Sequence, residues 1–150
     1  MSLKSQIEQE IKQAMLSKQK DRLRALRAIK SAILLAETEK GAAAGITSDV
    51  EVKLLQKAAK QRRDSIEIYV QQGRDDLAQT EQQELAVIEE FLPKQLSEKE
   101  IEQEVQSVIA AVGASGPQDM GKVMGAATKK LAGQADGKVI SAVAKRLLTS

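Results

Sequence analysis

Six basic side chains near the C-terminus have the spacing most suggestive of chemistry. Lys122 and Lys129 are seven residues apart with Lys130 adjacent; Lys138 and Lys145 repeat that interval with Arg146 beside the second. Seven residues make two helical turns, so each pair falls on one helix face. Such a stripe suits phosphates, met as charges without regard to base sequence. Gly121 and Gly125 lie one turn apart in the same stretch. A mid-helix glycine costs up to about 1 kcal/mol against alanine. Two in one turn therefore predict a close approach, by another helix backbone or by a ligand backbone. The structural alternative is that a small three-helix unit needs tight packing, and exposed lysines are common on solvated helices.

A secondary basic patch lies in QKAAKQRRDS, residues 56–65. Lys57 and Lys60 line one side of the expected helix, Arg63 is adjacent, and Arg62 falls on its apolar stripe. Arg62 could anchor a phosphate, but pairing with an acidic residue of the next helix is the favoured expectation. Arg22, Arg24 and Arg27 read as a solvated face. No catalytic group emerges. Ser65, Ser115 and Ser141 have no plausible base, and the Glu89–Glu90 and Glu98 to Glu104 carboxylates point to different faces, so no metal site is expected.

Composition narrows the chemistry further. The 150 residues include no His, no Cys and no Trp, with one Tyr and one Phe. Zinc-finger ligand sets, Cys nucleophiles and His-based triads are thereby excluded. Two aromatics do not make a base-stacking platform. GxGxxG and P-loop patterns are absent, so no nucleotide cradle and no cofactor is expected. The charged N-terminus is no signal peptide, and the longest apolar run, AILLA at 32–36, cannot span a membrane. A cytoplasmic location is expected.

Charge is segregated along the chain. Residues 1–74 carry 15 basic and 9 acidic side chains, residues 75–104 carry 2 and 10, and residues 105–150 carry 6 and 2. The net charges are therefore +6, −8 and +4. Either the basic ends meet a polyanion, or the helices pair their charges with each other in the fold.

These residues must be positioned by helices, because apolar periodicity of three and four runs almost from end to end. Leu3, Ile7, Ile11 and Ala14 or Met15 form a first stripe. Asp21 looks like the N-cap of a second helix with Leu26, Ile29, Ile33 and Ala36 inward, ended by Gly41. After a loop over 41–49, with Thr47, Ser48 or Asp49 as cap, a long third helix places Val52, Leu55, Ala59, Arg62, Ile66 and Tyr69 on one face. Gly73 ends it. A fourth carries Leu77, Leu85, Ile88 and Leu92 and stops at Pro93. Ser97–Glu100 is a capping box opening a fifth helix, with Ile101, Val105, Val108 and Val112 inward and Gly113 at its end. Gly116–Pro117 opens a sixth with Met120, Val123, Met124, Ala127 and Leu131, ending at Gly133. Asp136 caps a seventh with Val139 or Ile140, Val143 and Leu147. No segment alternates like a strand. The expectation is an all-α chain with a seam at FLPKQL, dividing a four-helix bundle over 1–93 from a three-helix bundle over 94–150.

At FLPKQLSEKEI, GASGPQDMGKVMGAATKKLAGQADGKVI and KQRRDSIE, the sequence resembles the YqeY family over essentially its whole length. From about Leu96 onward it is similar to the tail domain of the GatB subunit of tRNA-dependent amidotransferases. The resemblance implies a four-helix bundle followed by a three-helix bundle. It also implies that Gly121, Lys122, Gly125, Lys129, Lys130, Gly137 and Lys138 contact tRNA. The subunit's cradle domain and an amidase Ser/Lys centre have no counterpart here. The resulting expectation is a non-catalytic module binding tRNA or another structured RNA, with amidotransferase or translation components as further partners. A protein–protein adaptor is the alternative, followed by an accessory component aiding transamidation.

Overall fold

The computed structural model describes residues 2–39 and 45–149. Within them the chain is all-α, with seven helices and no strand. They are α1 Leu3–Leu16, α2 Lys20–Glu39, α3 Ser48–Gln71, α4 Asp75–Phe91, α5 Glu98–Val112, α6 Met120–Lys130 and α7 Gly137–Thr149. The chain divides into two compact units, Met1–Pro93 and Lys94–Ser150.

Local chemistry explains most helix ends. The Ser2 and Thr47 hydroxyls accept from the N–H groups of Ser5 and Val50, capping α1 and α3. Leu92, held extended by the proline that follows, closes α4. The capping box of α5 is present in both directions: Ser97 Oγ accepts from Glu100 N at 3.2 Å, and Glu100 Oε1 accepts from Ser97 N at 3.1 Å. Gly113 adopts φ 68° at its other end, a conformation glycine enters without a Cβ penalty.

Several boundaries differ from expectation. α2 begins at Lys20, so Asp21 lies inside its first turn, where its carboxylate faces the positive end of the dipole and accepts from Arg24 NH1 at 3.2 Å. The cause is a tight connection: Lys18 takes φ 55° and Gln19 N–H returns to the Ala14 carbonyl at 2.9 Å, ending α1 abruptly. Pro117 leads a 3₁₀ turn, Pro117–Asp119, and α6 proper starts at Met120. Asp119 makes no cap to α6; its carboxylate accepts from Ser115 N at 2.9 Å. In α7 the inward residues are Ile140, Val143, Ala144 and Leu148, with Val139 exposed. The expected helix stop at Gly41, with residues 41–44 of the loop, lies outside the described residues.

Each unit has its own aliphatic core. Ile7, Leu26, Ile33, Leu55, Ala59 and Ile88 lie at the centre of the first, and Val105, Val123, Ala127, Leu131, Ile140 and Ala144 at the centre of the second. Ala14, not Met15, completes the α1 stripe, since Met15 is exposed. In α3 only Leu55 and Ala59 are buried; Val52, Arg62, Ile66 and Tyr69 are partly covered.

The solvated face expected at Arg22, Arg24 and Arg27 is corrected at two of the three. Arg22 forks onto Glu90 at 2.7 and 3.1 Å and also reaches Glu10 at 2.9 Å, tying α2 to α4 and α1. Those hydrogen bonds, Glu90 foremost, raise its pKa above the ordinary arginine value. Arg24 reaches Glu84 at 3.4 Å, while Arg27 stays exposed.

Arg22→Ala is expected to destabilise the protein by about 1–2 kcal/mol, because it removes a forked, charge-assisted pair in a partly solvated setting. Urea unfolding measures this, and a loss under a few tenths would contradict the bridge. The Ser97 N–H, then the Ser97 hydroxyl and Lys94, hold the Glu100 carboxyl below its ordinary value. A lowered folded pKa contributes stability that is present above the unfolded value and lost as pH falls through the folded one. In a carboxylate NMR titration Glu100 should therefore have its midpoint below those of other exposed glutamates, and Ser97→Ala should bring it back up.

Candidate nucleic-acid interface

The second unit positions the C-terminal basic residues on α6 and α7. Val123 and Ala127 are fully covered on the inward side of α6, with Met120 and Met124 partly covered. Helical geometry then directs Gly121, Lys122, Gly125, Thr128 and Lys129 outward, and all five are exposed. Lys122 and Lys129 stand about 10 Å apart along the axis, from the helical rise of about 1.5 Å per residue. Neither has an ion pair among the described residues, and the same holds for Lys145 on α7.

The glycines answer the question their spacing raised. A Cβ built on Gly121 or Gly125 would meet nothing within 4 Å, and the same is true of Gly137. No helix of the unit approaches them, so the tight-packing explanation is overturned. The fold accommodates side chains there, and the pair leaves a bare strip of backbone beside Lys122 and Lys129.

Two of the six expected phosphate ligands are already engaged. Lys130 Nζ is 2.9 Å from Glu104 Oε2, and Arg146 NH2 donates to Glu102 Oε2 at 3.2 Å. Both carboxylates belong to α5. They lie two residues apart, about 200° around the helix, so one leaves toward α6 and the other toward α7. The register of α5 against the basic helices is not contained in residue spacing. The usable signal was the −8 charge of residues 75–104. Lys138 follows the Asp136 cap, its backbone N–H donating to Asp136 Oδ1 at 3.2 Å. Lys129 and Lys130 also occupy the last turn of α6, where cations favour the negative end of the dipole.

The secondary patch on α3 is largely consumed within its own unit. Arg62 Nε lies 3.0 Å from Glu84 and 3.7 Å from Glu81, and Arg63 NH2 is 3.8 Å from Glu89, all on α4. Lys60 pairs with Asp64 one turn on at 3.3 Å, leaving Lys57 exposed. The favoured ion-pair expectation for Arg62 describes its place well. A hollow of about 290 Å³ in the same unit is lined by Ser2, Lys4, Ile33, Glu37, Gly45, Ile46 and Glu51. Its charges are internally used: Lys4 pairs with Glu37 at 3.4 Å, and Glu51 accepts from Leu3 N at 3.4 Å.

Among the described residues no group of three or more acidic side chains is placed to hold a metal ion, and no helix is long and apolar enough to cross a membrane. No curated protein matches the chain. The family model described as Yqey-like protein matches residues 4–148, which takes in every helix of both units and the whole α6–α7 basic region. The chain therefore belongs to the YqeY family.

Proposed function

We propose that this protein is a non-catalytic helical module that holds tRNA or another structured RNA on its second unit. In this reading the first unit is a four-helix bundle and the second a three-helix bundle related to the tail of amidotransferase GatB subunits. The observation that carries it is the outer face of α6: Lys122 and Lys129 without ion pairs, beside glycines that no part of the unit requires. Such a face meets phosphates through ammonium groups while the bare backbone lets the sugar–phosphate chain come close. With two aromatics in the whole chain, recognition rests on phosphate and shape rather than on base stacking. Any amide chemistry belongs to a partner, since no nucleophile–base pair has been found in these residues.

An adaptor role is the second reading. It is favoured by large apolar side chains left open on the first unit, Ile68 at 51% and Val70 at 53% exposure on α3. Complexes that survive nuclease treatment and ignore the lysines would favour it over RNA holding.

In filter binding with bulk tRNA, Lys122→Ala with Lys129→Ala should weaken affinity roughly 5- to 20-fold. It should also flatten the salt dependence by about two units, because each lost phosphate contact removes about one released counterion. Unchanged affinity and slope would refute the assignment. A second test gives effects of opposite sign. Gly125→Ala should stabilise the free protein by about 0.5–1 kcal/mol, Gly121→Ala by less in the first turn, because neither methyl meets a neighbour. The same pair should weaken tRNA binding several-fold. Stabilisation without loss of binding would mean that the RNA backbone does not approach the glycines.

A further inference from the structure

The ion pairs between α5 and the two basic helices have a consequence for the same face. Lys130 and Arg146 are the cations of α6 and α7 that lie nearest α5, and each is held by one carboxylate, Glu104 and Glu102 respectively. All four side chains are substantially solvated, with exposures between 35% and 53%. Pairs this open are weak, screened by salt and exchangeable. They are not cement for the unit, whose core holds α5, α6 and α7 together through Ile101, Val105, Val123, Leu131, Ile140 and Val143. They are instead placed where a phosphate would compete for the same cations.

We propose that Glu102 and Glu104 act as an internal competitor for the polyanion, holding Arg146 and Lys130 in exchangeable pairs and so limiting both the affinity and the footprint of the bound RNA. This rests on the RNA-holding reading of the second unit and adds a control element to it. A phosphate that reaches Lys130 or Arg146 must displace a carboxylate first, whereas one that reaches Lys122 or Lys129 displaces only water and counterions. The RNA is thereby confined to the outer face of α6 unless it gains enough from further contacts to open the pairs. Because the carboxylates leave α5 on opposite flanks, one helix guards both basic neighbours.

The test is a four-protein cycle with bulk tRNA in filter binding: the wild-type chain, Glu102→Gln with Glu104→Gln, Lys130→Ala with Arg146→Ala, and all four substitutions together. Thermal melts check that each protein folds. The double glutamine variant should bind about 5-fold or more tightly than wild type, with a salt slope steeper by about two units, one for each cation released to phosphate. Removing Lys130 and Arg146 alone should change wild-type affinity little, and in that background the glutamine substitutions should give no gain. No gain in the double glutamine variant overturns the proposal. So does a gain that persists without Lys130 and Arg146, which would be a general effect of two fewer negative charges. If the gain is local as expected but Lys122 and Lys129 prove dispensable, the competitor stands and the outer α6 face does not. If none of the four proteins binds tRNA, both readings are overturned.

Discussion

The carboxylates of residues 75–104 decide which cations of this protein remain available to a ligand. Pro93 splits that acidic stretch between two units, so its charge is spent in two places. In the first unit Glu84, Glu89 and Glu90 of α4 take Arg62, Arg24, Arg63 and Arg22. In the second, Glu102 and Glu104 of α5 take Arg146 and Lys130. Residues 1–93 hold 15 basic and 15 acidic side chains, and residues 94–150 hold 8 and 6. The +6 and +4 ends read along the chain thus fold into units of net zero and +2. Net charge is a poor guide to a binding face here; the unpaired cation and its immediate surroundings are the better one.

The helices were legible because their signals are local. A capping box needs four residues, a proline stop needs two, and an apolar stripe needs only the helical period, so α5 could be placed from Ser97 to Gly113 from its residues alone. The differences arise where tertiary geometry intervenes. The turn at Lys18 uses a left-handed backbone without glycine, a choice that no punctuation residue announces, and it moves the start of α2 ahead of Asp21. In α7 both Val139 and Ile140 fit a helical stripe. Only the position of the other two helices selects Ile140, with Ala144 and Leu148, as the buried set.

The candidate face was legible in the same partial way. The seven-residue interval placed Lys122 and Lys129 on one side of a helix, which is a property of α6 alone. It equally promoted Lys130 and Arg146, whose neighbours on α5 lie 26 and 44 residues away in the chain. Arg22 shows the opposite failure. It sits four residues before Leu26 and therefore on the inward stripe of α2, a sign that it bridges rather than solvates. Its clustering with Arg24 and Arg27 hid that sign. The glycines were noticed for the right property, their cost, but assigned first to packing. Only the empty space around their Cβ positions turns that cost toward an external ligand.

Chemistry absent from the chain and geometry present in it lead to the same kind of recognition. A surface without histidine, cysteine or tryptophan, and with its one tyrosine and one phenylalanine in the first unit, has no stacking groups in the second with which to read splayed bases. Base readout by aromatic stacking is therefore closed to residues 94–150. What remains is a rigid spacing of two ammonium groups, a strip of open backbone between two turns of one helix, and flanking cations already opposed by carboxylates. Discrimination by such a face comes from where phosphates lie relative to one another, a property of RNA tertiary shape. An acidic α5 sharpens that discrimination, because it makes a phosphate placed off the α6 face pay to displace a partner. The same helix that supplies the core residues Ile101, Val105 and Val108 would thus also set the edge of the binding surface, so that fold and specificity depend on one element.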